Sequence, residues 1–250
     1  MHYKRIILIV AAVLLLALIG KGIYRFVQYD LACTRGTEYL SHHQYQQAVA
    51  AYTTALRYTP HDVEIRCNRA SAYDYLKDFP HAVQDYDAAI RDIAQYDRDN
   101  HDLAGEIYFN RGLLYGHNRH YPEAIADYRK AIALKPAIED AHGCLARLLA
   151  IRPGATASDG NEAVPLATKA CEQTKWQDAE VLAILAAACA RAGDFTKAVT
   201  WQQKALSLNK DANNAKEYQA RIKLYQNNTP YTDTSTQPSS LEGPKMMGAK

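Results

Sequence analysis

The sequence predicts an all-α protein. About five helical hairpins follow one another, a capping helix closes the array, and one N-terminal transmembrane helix precedes it. Three observations predict this. Apolar residues recur with helical period and are interrupted at regular intervals by turn residues. A pattern of small residues and tyrosines repeats along the chain. An uncharged run, "IILIVAAVLLLALIG", occupies residues 6–20.

The unit is clearest in "YFNRGLLYGHNRHYPEAIADYRKAI", residues 108–132. Ile107, Leu114 and Tyr115 fall on one side of a first helix. Gly116 and Asn118 are stop signals, and Pro122 suits the first turn of a second helix, where its missing N–H costs nothing. Ala124, Ile125, Tyr128, Ala131 and Ile132 then resume the period, and Pro136 ends it. Small side chains at Gly112, Ala124 and Ala131 sit where two helices approach closely, and tyrosines fill the wider gaps.

The hairpin recurs. Gly36, Tyr39, Tyr45, Ala48, Tyr52 and Ala55 keep its spacing, as do Ala70, Tyr73, Phe79, Ala82, Tyr86 and Ala89. The step from Ala70 to Gly112 carries eight extra residues, expected in "DIAQYDRDNHDLAG". A looser fourth copy has Ala146, Ala163 and Ala170 across the long turn "RPGATASDGN". The fifth has Ala186, Phe195, Ala198 and Ala205 around "AGDF". Such hairpins cannot bury their own apolar faces, so neighbours share a core and the small contacts recur with the repeat. The aromatic positions are read as packing.

These residues resemble the tetratricopeptide repeat, a 34-residue helical hairpin, over about residues 29–210. The stretch from Asp159 to Leu208 also resembles repeat pairs of bacterial members. Cys189 replaces an aromatic in the last copy, and the family's early Trp is missing throughout. The resemblance implies a right-handed α-solenoid. Its repeats are expected at about 29–62, 63–96, 105–138, 139–178 and 179–210, with a cap at 211–226 and a disordered tail at 227–250. The tail is rich in Ser, Thr and Pro and has no periodicity.

Residues 1–28 are expected to form a signal anchor, the helix covering about 5–27. Ile6–Gly20 lies between Lys4–Arg5 and Lys21, and no small-x-small cleavage site follows. Signal cleavage with secretion is the alternative. The basic leader suggests a bacterial inner (cytoplasmic) membrane, single-pass location with periplasmic repeats, against a nearly balanced positive-inside count that leaves a cytoplasmic-facing array open. The whole chain carries a net charge of +2. With the four basic residues of 1–29 set aside, 25 bases face 27 acids, so no basic field for nucleic acid exists.

Cys33, Cys67, Cys144, Cys171 and Cys189 have no zinc-ligand spacing and read as small buried thiols. His42, His43, His117 and His120 fall in turns. "DRDNHD" at 97–102 lacks the glycine and glutamate of a calcium loop. No phosphate-cradling loop, nucleophile elbow or zincin motif is present. No cofactor or metal is expected, and the chain is read as a non-enzyme. The expected function is a membrane-tethered protein–protein interaction scaffold or assembly factor that binds a protein or peptide segment in its groove. The alternative is an enzyme or a metabolite or lipid carrier, which a cluster of titratable residues on the concave face would favour.

The resemblance places the first helix of each hairpin on the concave face. Asn68 and Asn110 occupy its sixth position in repeats two and three, and an amide can both donate to and accept from peptide backbone. Ser71, Asp74, Tyr75, Leu113 and His117 share that face. The family's clamp for C-terminal carboxylates, known from co-chaperones of heat-shock proteins, needs basic and Asn residues at set places. Here those places hold Cys33, Thr37, Glu106 and Asn110, and only Asn68 matches, so no such clamp is expected.

Overall fold

The structure, a computed structural model, describes residues 2–138 and 140–234; for residues 2–14 and 213 it describes the backbone alone. Among the described residues there are eleven helices: α1 (His2–Ser41), α2 (Tyr45–Tyr58), α3 (Val63–Tyr75), α4 (Phe79–Tyr96), α5 (His101–His117), α6 (Tyr121–Leu134), α7 (Ala141–Ile151), α8 (Ala157–Gln173), α9 (Ala179–Arg191), α10 (Phe195–Leu208) and α11 (Ala212–Gln226). They form two compact units, one of residues 2–98 with α1–α4 and one of residues 99–234 with α5–α11. Within each unit every helix packs on the next in the chain, and α1 touches α3 while α7 touches α9.

Four of the five hairpins close in the same way, the α7–α8 hairpin being the exception. His43, Lys77, Arg119 and Gly193 take φ of 58°, 62°, 63° and 90°. The residue after each donates its N–H back to the first helix: Gln44 to Tyr39 O at 2.8 Å, and Asp78 to Tyr73 O, His120 to Tyr115 O and Asp194 to Cys189 O, each at 2.9 Å. This satisfies carbonyls that a helix end leaves orphaned. The left-handed residue of the third hairpin is therefore Arg119; α5 continues through Gly116. The next helix starts on a side-chain cap in several places. Asp62 accepts from Ile65 N–H, Asn100 from Leu103 N–H and Asp194 from Lys197 N–H, each contributing about 1 kcal/mol.

The small residues stand where the aromatics need room. Tyr52, Tyr86 and Tyr128 are fully buried. A Cβ added at Gly112 would lie 2.8 Å from the Tyr128 ring, and one at Gly36 would overlap the Tyr52 ring. All nine aromatics at the repeated positions of the first three hairpins are buried or half-buried, so packing accounts for them. Cys67, Cys144, Cys171 and Cys189 are buried, and burial pushes the thiols of Cys171 and Cys189 up to about 11.

The eight extra residues between repeats two and three do not form a long loop. α4 has 18 residues where α2 has 14, and α5 has 17 where α3 has 13. The insertion adds about one turn to each helix, leaving only residues 97–100 between them. In the fourth hairpin the expected turn "RPGATASDGN" is likewise half helix. A capping box of Thr156 and Asp159 starts α8, and Gly160 lies against the Arg191–Ala192 backbone at the end of α9.

The expected transmembrane helix is corrected. Among the described residues no helix is long and apolar enough to cross a membrane. α1 instead runs 40 residues without a break and becomes the first repeat helix, with Ala32 and Leu40 in the core against α2. The side chains of residues 6–14, most of the apolar run, lie outside the described residues. Of the expected tail, residues 235–250 also lie outside them. Residues 229–233 are non-helical and are bonded to α7 and α9.

Candidate functional site

The seven residues expected to bind a ligand divide between the two units. α3 carries Asn68, Ser71, Asp74 and Tyr75, and α5 carries Asn110, Leu113 and His117. Asn68, Ser71, Asp74, Asn110 and Leu113 are buried. Ser71 Oγ donates to Cys67 O at 3.1 Å and meets Tyr86 Oη at 3.2 Å, which makes it a packing partner of that tyrosine. Tyr75 is 42% exposed and stacks on Tyr45, ring centroids 4.6 Å apart. His117 is half-buried. Asn68, Asp74, Asn110 and His117 all interact with neighbours.

A cavity of about 280 Å³ lies elsewhere, within the second unit. Its walls are the first helices of the fourth and fifth hairpins and the capping helix: Arg147 and Ile151 of α7, Glu180, Ile184 and Ala187 of α9, and Glu217, Tyr218 and Arg221 of α11. Tyr231 and Asp233 close one end. The floor is the alanine-rich face of α9, where Ala183 and Ala187 present only methyl groups.

Charge is abundant around this floor but tied up. Arg147 Nη1 donates to Glu180 Oε1 at 2.7 Å, and Arg221 Nη2 donates to Glu217 Oε1 at 2.5 Å. Arg221 Nε is buried in the cavity wall without a hydrogen-bond partner among the described residues. Tyr218, desolvated by burial and flanked by Glu180, has its hydroxyl pushed up to about 12, far from a group poised to exchange protons at neutral pH. The arrangement presents donors, rings and methyl groups for recognition.

From sequence none of these cavity residues is expected at a ligand site, although the 3.6 period places Tyr218 on the inward face of the cap, yet one signal was available. Arg147–Glu180, Arg129–Glu162 and Tyr29–Asp62 are all bonded pairs 33 residues apart. An offset just short of one repeat joins equivalent helices of successive hairpins, so oppositely charged pairs at that spacing mark side chains on a shared face.

Family models described as Tetratricopeptide repeat match residues 33–98, 105–137 and 179–212, together more than half of the chain. The chain belongs to the tetratricopeptide repeat family. Solved structures agree on the fold of this tetratricopeptide repeat protein. It is similar to the protein of "Functional Characterization of Pseudomonas Aeruginosa pilF", with TM-score 0.61 and 16% identity over 81% of this chain and 86% of that one. It is similar to YrrB, described as a TPR protein with an unusual peptide-binding site, with TM-score 0.60 and 16% identity over 76% and 90%. It is also similar to MamA from Desulfovibrio magneticus RS-1, with TM-score 0.59 and 17% identity over 72% and 94%. A comparison with curated proteins returns no match.

Proposed function

We propose that this tetratricopeptide repeat protein is a protein–protein interaction module. Its ligand is an extended peptide segment received across α7, α9 and α11. The observation that carries the reading is the cavity over α9. It is large enough for a side chain, floored by alanines and rimmed by paired guanidinium and carboxylate groups. Sites of this make-up bind by burying an apolar or aromatic anchor and fixing it with a few polar contacts. YrrB is described as having a peptide-binding site, but at 16% identity that likeness speaks for the fold alone.

The titratable cluster that would favour an enzyme or carrier is present in name. Its glutamates are held by arginines, and its tyrosine is displaced away from neutrality. That favours recognition over turnover.

The test is capture of peptides from an immobilised library by the full chain and by Ile184→Arg. Ile184 is half-exposed on the cavity floor, so arginine fills the space with little disturbance of the core. Wild type is expected to select a set of peptides, and Ile184→Arg to lose it at least tenfold. Equal capture by both would remove the cavity from consideration. Loss confined to Asn68→Ala would move the site to α3, loss confined to Asn110→Ala would move it to α5, and no capture at all would end the interaction reading.

A further inference from the structure

The chain after α11 folds back beside the cavity just described, and Tyr231 and Asp233 form part of its lining. It turns at Asn228, whose φ is 54°, and Thr229 N–H donates to Leu224 O at 2.9 Å. Residues 230–233 are then half-buried against the second unit. Arg191, the last residue of α9, holds this segment. Its Nη2 donates to Tyr231 O at 2.7 Å and to Thr232 Oγ1 at 2.9 Å. Its Nε donates to Ala150 O at 2.7 Å and its Nη1 to Ala155 O at 3.2 Å. Asp233 N–H donates to Ile151 O at 2.8 Å. The Arg221 guanidinium carbon lies 4.1 Å from the centroid of the Tyr231 ring.

These contacts read features that another peptide could present. The carbonyls of Ala150 and Ile151 are among those that the end of α7 leaves without intrahelical partners. A backbone N–H at the position of Asp233 satisfies one of them, and any extended peptide carries that donor. Arg191 reads a backbone carbonyl and a hydroxyl. Arg221 reads an aromatic face, a contact that strengthens when partly desolvated. Asp233 adds a carboxylate beside a cavity whose wall includes Arg147 and Arg221.

We propose that Thr229–Asp233 is an intramolecular ligand of this site, and that the partner it holds off is an extended peptide of the same chemistry: an aromatic residue, then a hydroxyl residue, then an acidic one. The proposal rests on the peptide-binding reading above and specifies its ligand and its regulation. A segment joined to α11 by a short connection competes at an effective concentration of about millimolar. A partner must displace it or find it released.

The probe is a fluorescent synthetic peptide with the sequence of residues 228–234, titrated by anisotropy into the full chain. Three forms are compared: wild type, Tyr231→Ala and Asp233→Pro. The second substitution deletes the N–H that Ile151 accepts, so the two variants open the site independently and one serves if the other melts early. Each is expected to bind the peptide at least tenfold more tightly than wild type. Adding Arg191→Lys, which keeps a cation but cannot span four acceptors, should remove the gain. A peptide with alanine in place of tyrosine should bind none of them. Equal affinity for wild type and both opened variants, or no binding by any up to millimolar peptide, overturns the proposal. If library capture sensitive to Ile184→Arg persists in that case, the interaction reading stands and only the self-ligand fails; if that capture is missing as well, both fail.

Discussion

Arg111 forks onto Asp127, its Nε 2.7 Å from one carboxylate oxygen and its Nη2 2.8 Å from the other. Arg69 repeats the arrangement on Asp85, at 2.7 Å on both arms. In each case the arginine follows the asparagine of an "NR" pair on a first helix, and the aspartate lies 16 residues on, in the second. The fork ties the two helices of one hairpin beside the buried tyrosine, and Arg111 also covers the rings of Tyr108 and Tyr115. Repeat one has Arg35 but Ala51 at the partner position, and lacks the bridge.

Removing one half of this pair should cost more than removing both. Asp127 is 5% exposed, and Arg111→Ala would leave its carboxylate buried without the fork, a loss of about 3 kcal/mol. Replacing both by leucine should cost clearly less, because no buried charge is stranded. Urea denaturation of the three chains decides it. Equal loss in the single and double variants would mean that the pair contributes through packing alone.

Gly112→Leu should destabilise by about 1–3 kcal/mol, since even a Cβ meets the Tyr128 ring. Gly160→Ala should be at least as damaging. The atoms its methyl meets belong to the Arg191–Ala192 backbone, which cannot swing aside as a side chain does. Calorimetric melts that leave Gly160→Ala at the wild-type temperature would show that α8 and α9 can separate there at little cost.

The hairpins were legible because their physics is local and repeated. The 3.6 period, the small residue opposite each tyrosine and the proline or aspartate at a helix start all lie within one 34-residue window. The insertion between repeats two and three was legible in length only. Polar residues in "DIAQYDRDNHDLAG" resemble a loop, whereas α4 and α5 extend through all of it but residues 97–100. The transmembrane expectation followed the apolar content of residues 6–20, while the structure carries α1 unbroken into the first repeat. The cavity was not legible within one repeat, because α7, α9 and α11 build it together and its Arg147–Glu180 pair joins residues 33 apart. Nor was the segment at 229–233, since aperiodic polar sequence gives no sign of a partner such as Arg191, 40 residues before Tyr231.

Three of the hairpin turns place a residue with a Cβ in the left-handed region that Gly193 fills in the last one. Lys77 is exposed there with φ 62°. Lys77→Gly should therefore raise stability by about 0.5–1 kcal/mol, the relief of the strained backbone exceeding the extra freedom of glycine in the unfolded chain. Gly193→Ala should lower it by a similar amount. A lower melting temperature for Lys77→Gly would mean that its side chain contributes more than the strain it imposes.

Gln202 occupies the place in the fifth hairpin that Tyr52, Tyr86 and Tyr128 hold in the first three. The first two tyrosines find hydroxyl partners on the residue after the small position: Tyr52 donates to Thr37 Oγ1 at 3.4 Å, and Tyr86 meets Ser71 Oγ. In the fifth hairpin that residue is Ala187, which has no side-chain polar atom. Gln202 is 0% exposed, and among the described residues neither its amide oxygen nor its amide nitrogen has a hydrogen-bond partner. A buried amide left in this state costs about 1–3 kcal/mol. Gln202→Met keeps the length and flexibility of the side chain and removes both orphaned atoms, so it should raise stability by about 1 kcal/mol or more. In a chain of this size that is a rise of roughly 2–4 °C in melting temperature per kcal/mol. A fall on substitution would show that the amide is satisfied in solution, by water or by an alternative rotamer, and that the fifth hairpin uses it as a polar contact in place of the missing tyrosine.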